Sequence, residues 1–489
     1  MTIGELARLL PGSRVHGDPA VEPTSATHDS RHAGGGSLFV AIRGTSVDGN
    51  AFVEAALRKG AVAVASEGAP LPGVPWIEVP DAREALALFS AALLGNPAER
   101  LRLVGVTGTN GKTTTTYLID AALRAGGETV GLLGTVEYRI GPRLREAVRT
   151  TPESSDLQEL LEEMVASGCR SAVLEVSSHA LALKRVYGLG FEVAVFTNLT
   201  RDHLDFHGDM EGYFAAKRVL FDTLLREDGH AVLNLEDPKS EILAKVARGK
   251  VLTYSTAGPA DFEARGIRLS LEGTSFTLRG PEGTREVKTS LLGRFNVQNI
   301  LAALGASHAL GVDVETAIRG VTSVHGIPGR LERVDAGQDF TVVVDYAHTD
   351  DALRKLLETV RDLCPRRILT VFGCGGDRDK TKRPLMGAIA ARLSDHVILT
   401  SDNPRSEPPE AILDDIKAGV PKGWGAATEV VAERREAILR ALELARKGDV
   451  VVIAGKGHEQ TQVLRDRAVP FDDRRVAREL LGALGSPTR

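Results

Sequence analysis

At 489 residues the chain is too long for one ordinary core, and about 150 residues per domain sets an expectation of three. Hydrophobic residues at 43% and charged residues at 26% exclude a fibrous or disordered chain, while 60 Lys+Arg against 65 Asp+Glu (formal charge −5) exclude an overall cationic field for nucleic acid. The absence of a long apolar run, the unsignal-like start MTIGELARLL, and Cys169, Cys364 and Cys374 without CxxC spacing set the expectation of a cytoplasmic protein with no membrane partner, disulfide framework or structural zinc.

In chain order, the runs SLFVAI (37–42), GAVAVAS (60–66) and WIEV (76–79), separated by helical stretches such as FVEAALRKG, predict a small α/β domain over 1–98. After the turn Gly95-Asn96-Pro97, LVGV, a Gly-rich loop and an amphipathic stretch read as strand, loop and helix, opening a second domain over 99–335. TVGLLG (129–134), SAVLEVSS (171–178), VAVFTNL (193–199) and GHAVLN (229–234) alternate with helical segments, which predicts a mostly parallel, P-loop-type sheet. The short alternating runs of 261–292 predict a small antiparallel excursion. From 336 to 489, FTVVVDYAH, RILTVFGCGG, HVILTSDNP and GDVVVIAGKGHE predict a third, Rossmann-like α/β domain. Ligands of such sheets bind beyond the carboxyl ends of the strands, so the polar endings of these runs nominate the chemistry.

The strongest ending is Gly108-Thr109-Asn110-Gly111-Lys112-Thr113-Thr114 between strand and helix. Glycines let the backbone curl around phosphate, the helix N-terminus favours anions, Lys112 adds a point charge and Thr113 a hydroxyl for Mg²⁺, so ATP is the expected ligand. Val106 stands where the longer GxxxxGK[ST] pattern has glycine. Glu175, ending an apolar run, is an oxygen ligand suited to Mg²⁺. In TNLTRDHLDFHG, His203 by itself reads as a structural or hydrogen-bonding residue rather than a metal ligand. Lys217, on the amphipathic stretch YFAAKRVLFDTLL, reads by pattern as a solvated lysine. In the last third, Arg378 and Arg405 can each grip a carboxylate with paired hydrogen bonds and Glu459 can receive an ammonium, which together suggest an amino-acid site.

These strings, with HDSRHAGGGSLFVAIRGTSVDGNAF, TTPES, LEVSSHAL, AAKRVLFD, GRFNVQNILAAL, HGIPGRLERV, VDYAHT, GCGGDRDKTKRP, DNPRSE and AGKGHE in this order, resemble the Mur ligase family along nearly the whole chain. The resemblance implies ATP-dependent joining of meso-2,6-diaminopimelate to UDP-N-acetylmuramoyl-L-alanyl-D-glutamate through an acyl phosphate, by a monomer. It implies that Ser30 and the loop around Thr45 hold the uridine nucleotide, and that Thr150, Thr151, Ser177 and Arg185 contact the muramoyl dipeptide. ATP would lie on residues 108–114 with Asn296, Asn299, Arg330, Asp345 and His348; Mg²⁺ would meet Thr113, Glu175 and His203; and Lys217 would be carbamylated, reversing the pattern reading of both His203 and Lys217. Arg378, Asp402, Asn403, Pro404, Arg405, Gly455 and Glu459 would form the amino-acid pocket, with DNPR matching the family's diaminopimelate motif. No general base follows from the sequence; His203 and the metal-site carboxylates are candidates. Leu183 replaces a polar contact of some relatives, and Asp350 replaces the Pro of YAHTPDAL. A lysine-adding relative, a folylpolyglutamate-type ligase and a nucleotide-dependent switch protein are the alternatives.

Overall fold

The structure is a computed structural model that describes residues 1–44, 47–363, 366–423 and 427–485. Three large sheets follow one another along the chain. The strands Ser37–Ala41 and Ala63–Ser66 are buried at every position, as parallel strands covered on both faces must be. They lie in a five-stranded sheet ordered Arg14–His16, Trp76–Glu78, Ala63–Ser66, Ser37–Ala41, Ser25–Thr27, in which only the first pair is antiparallel. The helix Ala82–Leu93 starts where Asp81 accepts the backbone N–H groups of Arg83 and Glu84, and it buries Ala85, Leu86 and Phe89 in the core of this sheet.

The second sheet has eleven strands, and the seven in its middle are mutually parallel. They run Phe262–Ser270, Lys250–Ser255, Leu225–Asn234, Phe191–Phe196, Arg102–Thr107, Ser171–Glu175, Val130–Leu133. The expected excursion over 261–292 is present as Phe262–Ser270, Gly273–Gly280 and Gly283–Thr289, and it prolongs the main sheet, because its first strand pairs parallel with Lys250–Ser255. An unanticipated hairpin, Glu137–Ile140 with Arg143–Glu146, closes the opposite edge. Its charged four-residue strands carry no apolar run, and they exist because Val130–Leu133 offers them an edge. The helices Lys112–Ala125, Arg294–Ala309 and Val314–Thr322 cover one face through Val104, Val106, Leu118, Ile300 and Val321. Leu157, Leu161, Leu220 and Phe221 cover the other.

The third sheet runs Glu332–Val334, Thr341–Asp345, Val450–Ala454, Ile368–Phe372, His396–Leu399, Ala427–Val430, parallel except for its first strand. The helix Asp350–Leu363 packs on it through Leu353, Leu356, Leu357 and Val360, a spacing that makes one apolar stripe. A separate antiparallel pair, Thr461–Val463 with Ala468–Pro470, stands beyond Val450–Ala454. The α/β class, with mostly parallel sheets, is therefore as expected from the sequence. No helix among the described residues is long and apolar enough to cross a membrane. What matters for chemistry is strand order: Arg102–Thr107 lies between Ser171–Glu175 and Phe191–Phe196, so three carboxyl ends meet at one place.

Candidate active site

At the first of those ends, the backbone leaves Thr107 and turns through Gly108–Gly111 into the helix Lys112–Ala125. Gly111 has φ 89°, and a Cβ there would lie 2.5 Å from Asn299 Oδ1, so only glycine fits both the turn and the neighbour. No side chain caps this helix, which leaves its first N–H groups for an anion. The loop is braced from behind. Thr197 Oγ1 donates to the Asn110 carbonyl (2.6 Å), the Asn110 N–H donates to Asn198 Oδ1 (3.0 Å), and Thr109 Oγ1 reaches the Thr200 carbonyl (3.1 Å). Thr115 Oγ1 donates to Asn299 Oδ1 (3.3 Å), and Asn299 Nδ2 donates to Asn296 Oδ1 (3.0 Å), so both asparagines stand buried against the loop. Thr113 and Thr114 are buried in the helix's first turn.

Lys112 Nζ donates to the Gly108 and Thr109 carbonyls at 2.9 and 2.8 Å. Lys217 Nζ donates to the same Gly108 carbonyl, also at 2.9 Å, with its side chain 1% exposed and its ammonium 4.5 Å from the Tyr213 ring centre. The solvated face that the pattern suggested for Lys217 is thus wrong: the helix Met210–Asp222 turns this lysine inward beneath the loop. Burial first, and then the neighbouring Lys112 charge, hold the Lys217 pKa well below its ordinary 10.5. Burial likewise lowers Lys112, against the attraction of Glu175 and Asp202.

Glu175 ends the second strand, 1% exposed, with Oε1 accepting the Thr135 N–H (2.8 Å) and Oε2 the Thr135 hydroxyl (3.0 Å). His203 follows the third strand in the left-handed region (φ 54°), its Nε2 3.4 Å from Asp202 Oδ2 and its ring 4.6 Å from that of His179. Burial lowers the His203 pKa. Among the described residues, no group of three His, Cys, Asp or Glu stands together as a ready metal cage.

Next to Glu175, Thr151 Oγ1 donates to the Glu175 carbonyl (2.8 Å) and lies 3.3 Å from Ser177 Oγ, and Thr150 Oγ1 is 3.0 Å from Thr135 Oγ1. Arg185 Nη1 donates to the Thr151 carbonyl (3.1 Å) and Nη2 meets Glu153 at 2.7 Å, while its buried Nε has no partner. Ser30 lies in the first domain two residues after His28, whose Nδ1 is 3.2 Å from Ser155 Oγ on the helix that follows TTPES. Thr45 lies outside the described residues.

From the other side, Arg330 reaches the phosphate loop: its Nη2 is 3.2 Å from Thr113 Oγ1 and its guanidinium sits 4.8 Å from the Tyr346 ring centre. Asp345 accepts the Leu331 and Ala347 N–H groups at 2.7 and 2.8 Å, so both of its oxygens are engaged in holding the chain that carries Arg330. His348 is tied to the Tyr346 carbonyl at 2.9 Å and lowered in pKa by burial.

A cavity of about 760 Å³ joins the two sides. His179, Arg201, Asp202 and His203 line it from the second sheet, and His348, Arg378, Asp402, Asn403, Arg405, Gly455 and Glu459 from the third. Arg405 stands in the left-handed region (φ 52°), its N–H donating to the Val463 carbonyl (3.1 Å) and its Nη1 to the Gly376 carbonyl (2.8 Å). Strain of that sort persists only where the surroundings over-determine it. Pro404 packs against Gly376 and does not line the cavity. Three fully buried cations support this pocket: Arg383 grips Glu407, Arg434 grips Asp473, and Lys456 holds Asn403 and Glu459. Their placement is not legible in the sequence, nor is that of Tyr346 and Lys382 in the lining. Lys382 and Arg383 stand in GCGGDRDKTKRP and Lys456 in AGKGHE, but nothing in those strings tells a supporting cation from one that meets a ligand.

The chain matches the Mur ligase family catalytic domain over residues 24–93, the Mur ligase middle domain over 106–307 and the Mur ligase glutamate ligase domain over 329–457. It is 50% identical over 467 residues to a UDP-N-acetylmuramoyl-L-alanyl-D-glutamate–2,6-diaminopimelate ligase of Solibacter usitatus, covering 95% of this chain and 94% of that one. It is 47% identical to the protein of the same name from Geobacillus thermodenitrificans, covering 98% and 99%. A solved structure bearing that enzyme name superposes with a TM-score of 0.71 at 36% identity over 99% of both chains. The Thermotoga maritima MurF ligase in complex with ADP, at 20% identity and TM-score 0.63 over 94% and 96%, shares the fold.

Proposed function

This chain belongs to the Mur ligase family, and from that premise we propose that it joins meso-2,6-diaminopimelate to UDP-N-acetylmuramoyl-L-alanyl-D-glutamate, consuming ATP, in peptidoglycan precursor synthesis. The observation that carries the reading is the cavity in which His179 and residues 201–205, from the segments that follow two of the three strands meeting at the phosphate loop, face Arg378, Asn403, Arg405 and Glu459. A carboxylate does not react with an amine unless its oxygen is first made a leaving group. The D-glutamyl carboxylate oxygen therefore attacks the terminal phosphorus of ATP and expels ADP. The amine of diaminopimelate then attacks the acyl carbon; the C–N bond forms, phosphate leaves with the acyl C–O electrons, and the ammonium proton is lost.

Residues 108–114 hold the ATP phosphates, with Lys112 swinging from its loop carbonyls to the transferring group. Asn296, Asn299, Arg330, Asp345 and His348 complete the nucleotide site. Thr113, Glu175 and His203 would hold Mg²⁺; the hydroxyl and the carboxylate are the oxygen donors that such an ion prefers, His203 adds one nitrogen, and half of an octahedral shell is left for phosphate and water. That ion, when bound, screens the charge of the phosphoryl oxygens. Lys217 is poised to become a carbamate, because two ammonium groups cannot comfortably share the Gly108 carbonyl and the neutral amine is the form that takes up CO₂. Thr150, Thr151, Ser177 and Arg185 hold the dipeptide, and Ser30 with the loop at Thr45 the uridine end. Arg405 and Asn403 take the distal carboxylate of diaminopimelate and Glu459 its ammonium. A reaction fed by ATP and a nucleotide-linked precursor belongs in the cytoplasm, and one chain carries every element used, so a monomer suffices.

Phosphate release is expected only when ATP, Mg²⁺, the UDP-muramoyl dipeptide and diaminopimelate are all present, with the tripeptide as product. Equal turnover without diaminopimelate would sink the reading, and a lysine-containing product from an amino-acid panel would replace it with the lysine-adding one.

A further inference from the structure

In the string Gly455-Lys456-Gly457 the lysine is enclosed by two residues in the left-handed region, φ 112° and 54°. The two turns direct its side chain away from the cavity: Gly455 and Glu459 line the cavity, and Lys456, fully buried, does not. An ammonium has three hydrogens, and here each has an acceptor: Asn403 Oδ1 at 3.0 Å, Glu459 Oε2 at 3.0 Å and the Thr461 carbonyl at 2.7 Å.

The consequence falls on Asn403. Its Oδ1 accepts from Lys456 and also from the Val463 N–H (2.9 Å), so the oxygen end of the amide is turned to the rear and both of its lone pairs are used. Its Nδ2 must then face the other way, where it donates one hydrogen to Glu459 Oε2 (2.8 Å) and keeps the second for the cavity. Glu459 Oε2 is saturated by Lys456 and Asn403, which leaves Oε1 as the acceptor that a ligand meets. An asparagine free to rotate by half a turn would present donor or acceptor indifferently; this one presents a donor.

We propose that Lys456 is a positioning and specificity-determining residue of the amino-acid pocket: from behind the wall it sets the polarity of the Asn403–Glu459 pair, so that the pocket reads one carboxylate and one ammonium on the same ligand centre. This rests on the assignment of the pocket to the distal end of diaminopimelate, and the two stand or fall on different variants. Arg405→Ala tests the pocket: a KM for diaminopimelate unchanged from wild type removes the assignment itself.

Given a selective loss in Arg405→Ala, Lys456→Met tests the proposal against two ligands, meso-diaminopimelate and 2-aminopimelate, which lacks the distal amine. With Asn403 and Glu459 unfixed, the preference for diaminopimelate over 2-aminopimelate in kcat/KM is expected to fall at least tenfold, through a raised KM for diaminopimelate, while KM for ATP stays within about twofold. A general loosening of the fold would instead lower kcat for both ligands in parallel and leave their ratio unchanged, and that result overturns the proposal. Lys456→Gln, whose amide can still donate to the Thr461 carbonyl, carries the same comparison should Lys456→Met not fold. If neither folds, Lys456 is a requirement of the fold and the proposal fails.

Discussion

Residue by residue, the chemistry here is set by what surrounds each polar group rather than by its type. Arg405 is held by its backbone and by the Gly376 and Asn403 carbonyls, both on Nη1, with the rest of its fork available to the cavity. Charge-assisted hydrogen bonds contribute about 1.5–3 kcal/mol each, so Arg405→Ala should lower kcat/KM for diaminopimelate by about 10- to 100-fold with ATP binding little changed, as steady-state kinetics would register. Lys217 is the clearest case of a residue misread by pattern. Its helix is amphipathic, and a lysine on such a stretch is ordinarily solvated; burial beneath Gly108 arises only when the strand Arg102–Thr107 and the helix Met210–Asp222 meet. Wild-type protein in carbon-13 bicarbonate is expected to give a carbamate resonance that Lys217→Gln lacks. His458 shows the same dependence on surroundings: burial brings its pKa from 6.5 to about 4, so the folded state binds its proton less readily than the unfolded one. Stability from this group is complete above pH 6.5 and is lost as the pH falls through about 4. His458→Asn should therefore flatten the acid limb of urea-unfolding stability between pH 6.5 and 4.

Among the elements, loops at strand ends are held in place by buried ion pairs. Arg434 and Asp473, both fully buried, bond through two parallel contacts of 2.7 and 2.6 Å, and Arg434 also donates to the carbonyls of Ser401 and Ala454. Those two carbonyls immediately precede Asp402 and Gly455, which line the cavity. Arg434→Met leaves an uncompensated buried carboxylate and is expected to cost about 3–5 kcal/mol in chemical denaturation, with the Arg434→Met/Asp473→Leu pair recovering a large part. None of this is visible in RREAILRAL, where Arg434 reads as one more charged residue at a helix start. The long parallel strands were legible because each is an unbroken apolar run. The hairpin at 137–146 was not, since its inner strand offers only Tyr138 and Ile140 to the core and its exposed outer strand, Arg143–Glu146, is specified by the partner it pairs with.

Across the whole molecule, the site exists only where the second and third sheets face each other. Arg201 and Asp350 span that junction at 2.8 Å, and Asp350 is one of the two departures from the motifs of related chains. It begins the helix Asp350–Leu363 behind Thr349, whose Oγ1 accepts the Ala352 N–H at 3.3 Å, a position where proline also fits. Since a partly exposed pair contributes less than about 1 kcal/mol, Asp350→Pro should shift the thermal midpoint by little and leave ligation within about twofold. The strand ends, the phosphate loop and the order of the motifs could be written down from the amino-acid string, because hydrophobic runs and glycine-bearing turns are local and their physics acts over a few residues. The burial of Lys217, the sharing of the Gly108 carbonyl by two lysines, the cations behind the pocket and the meeting of His203 with Glu459 across one cavity involve residues far apart in the chain. Burial and proximity of that kind come from packing, and packing is settled only when the sheets have formed and closed on one another.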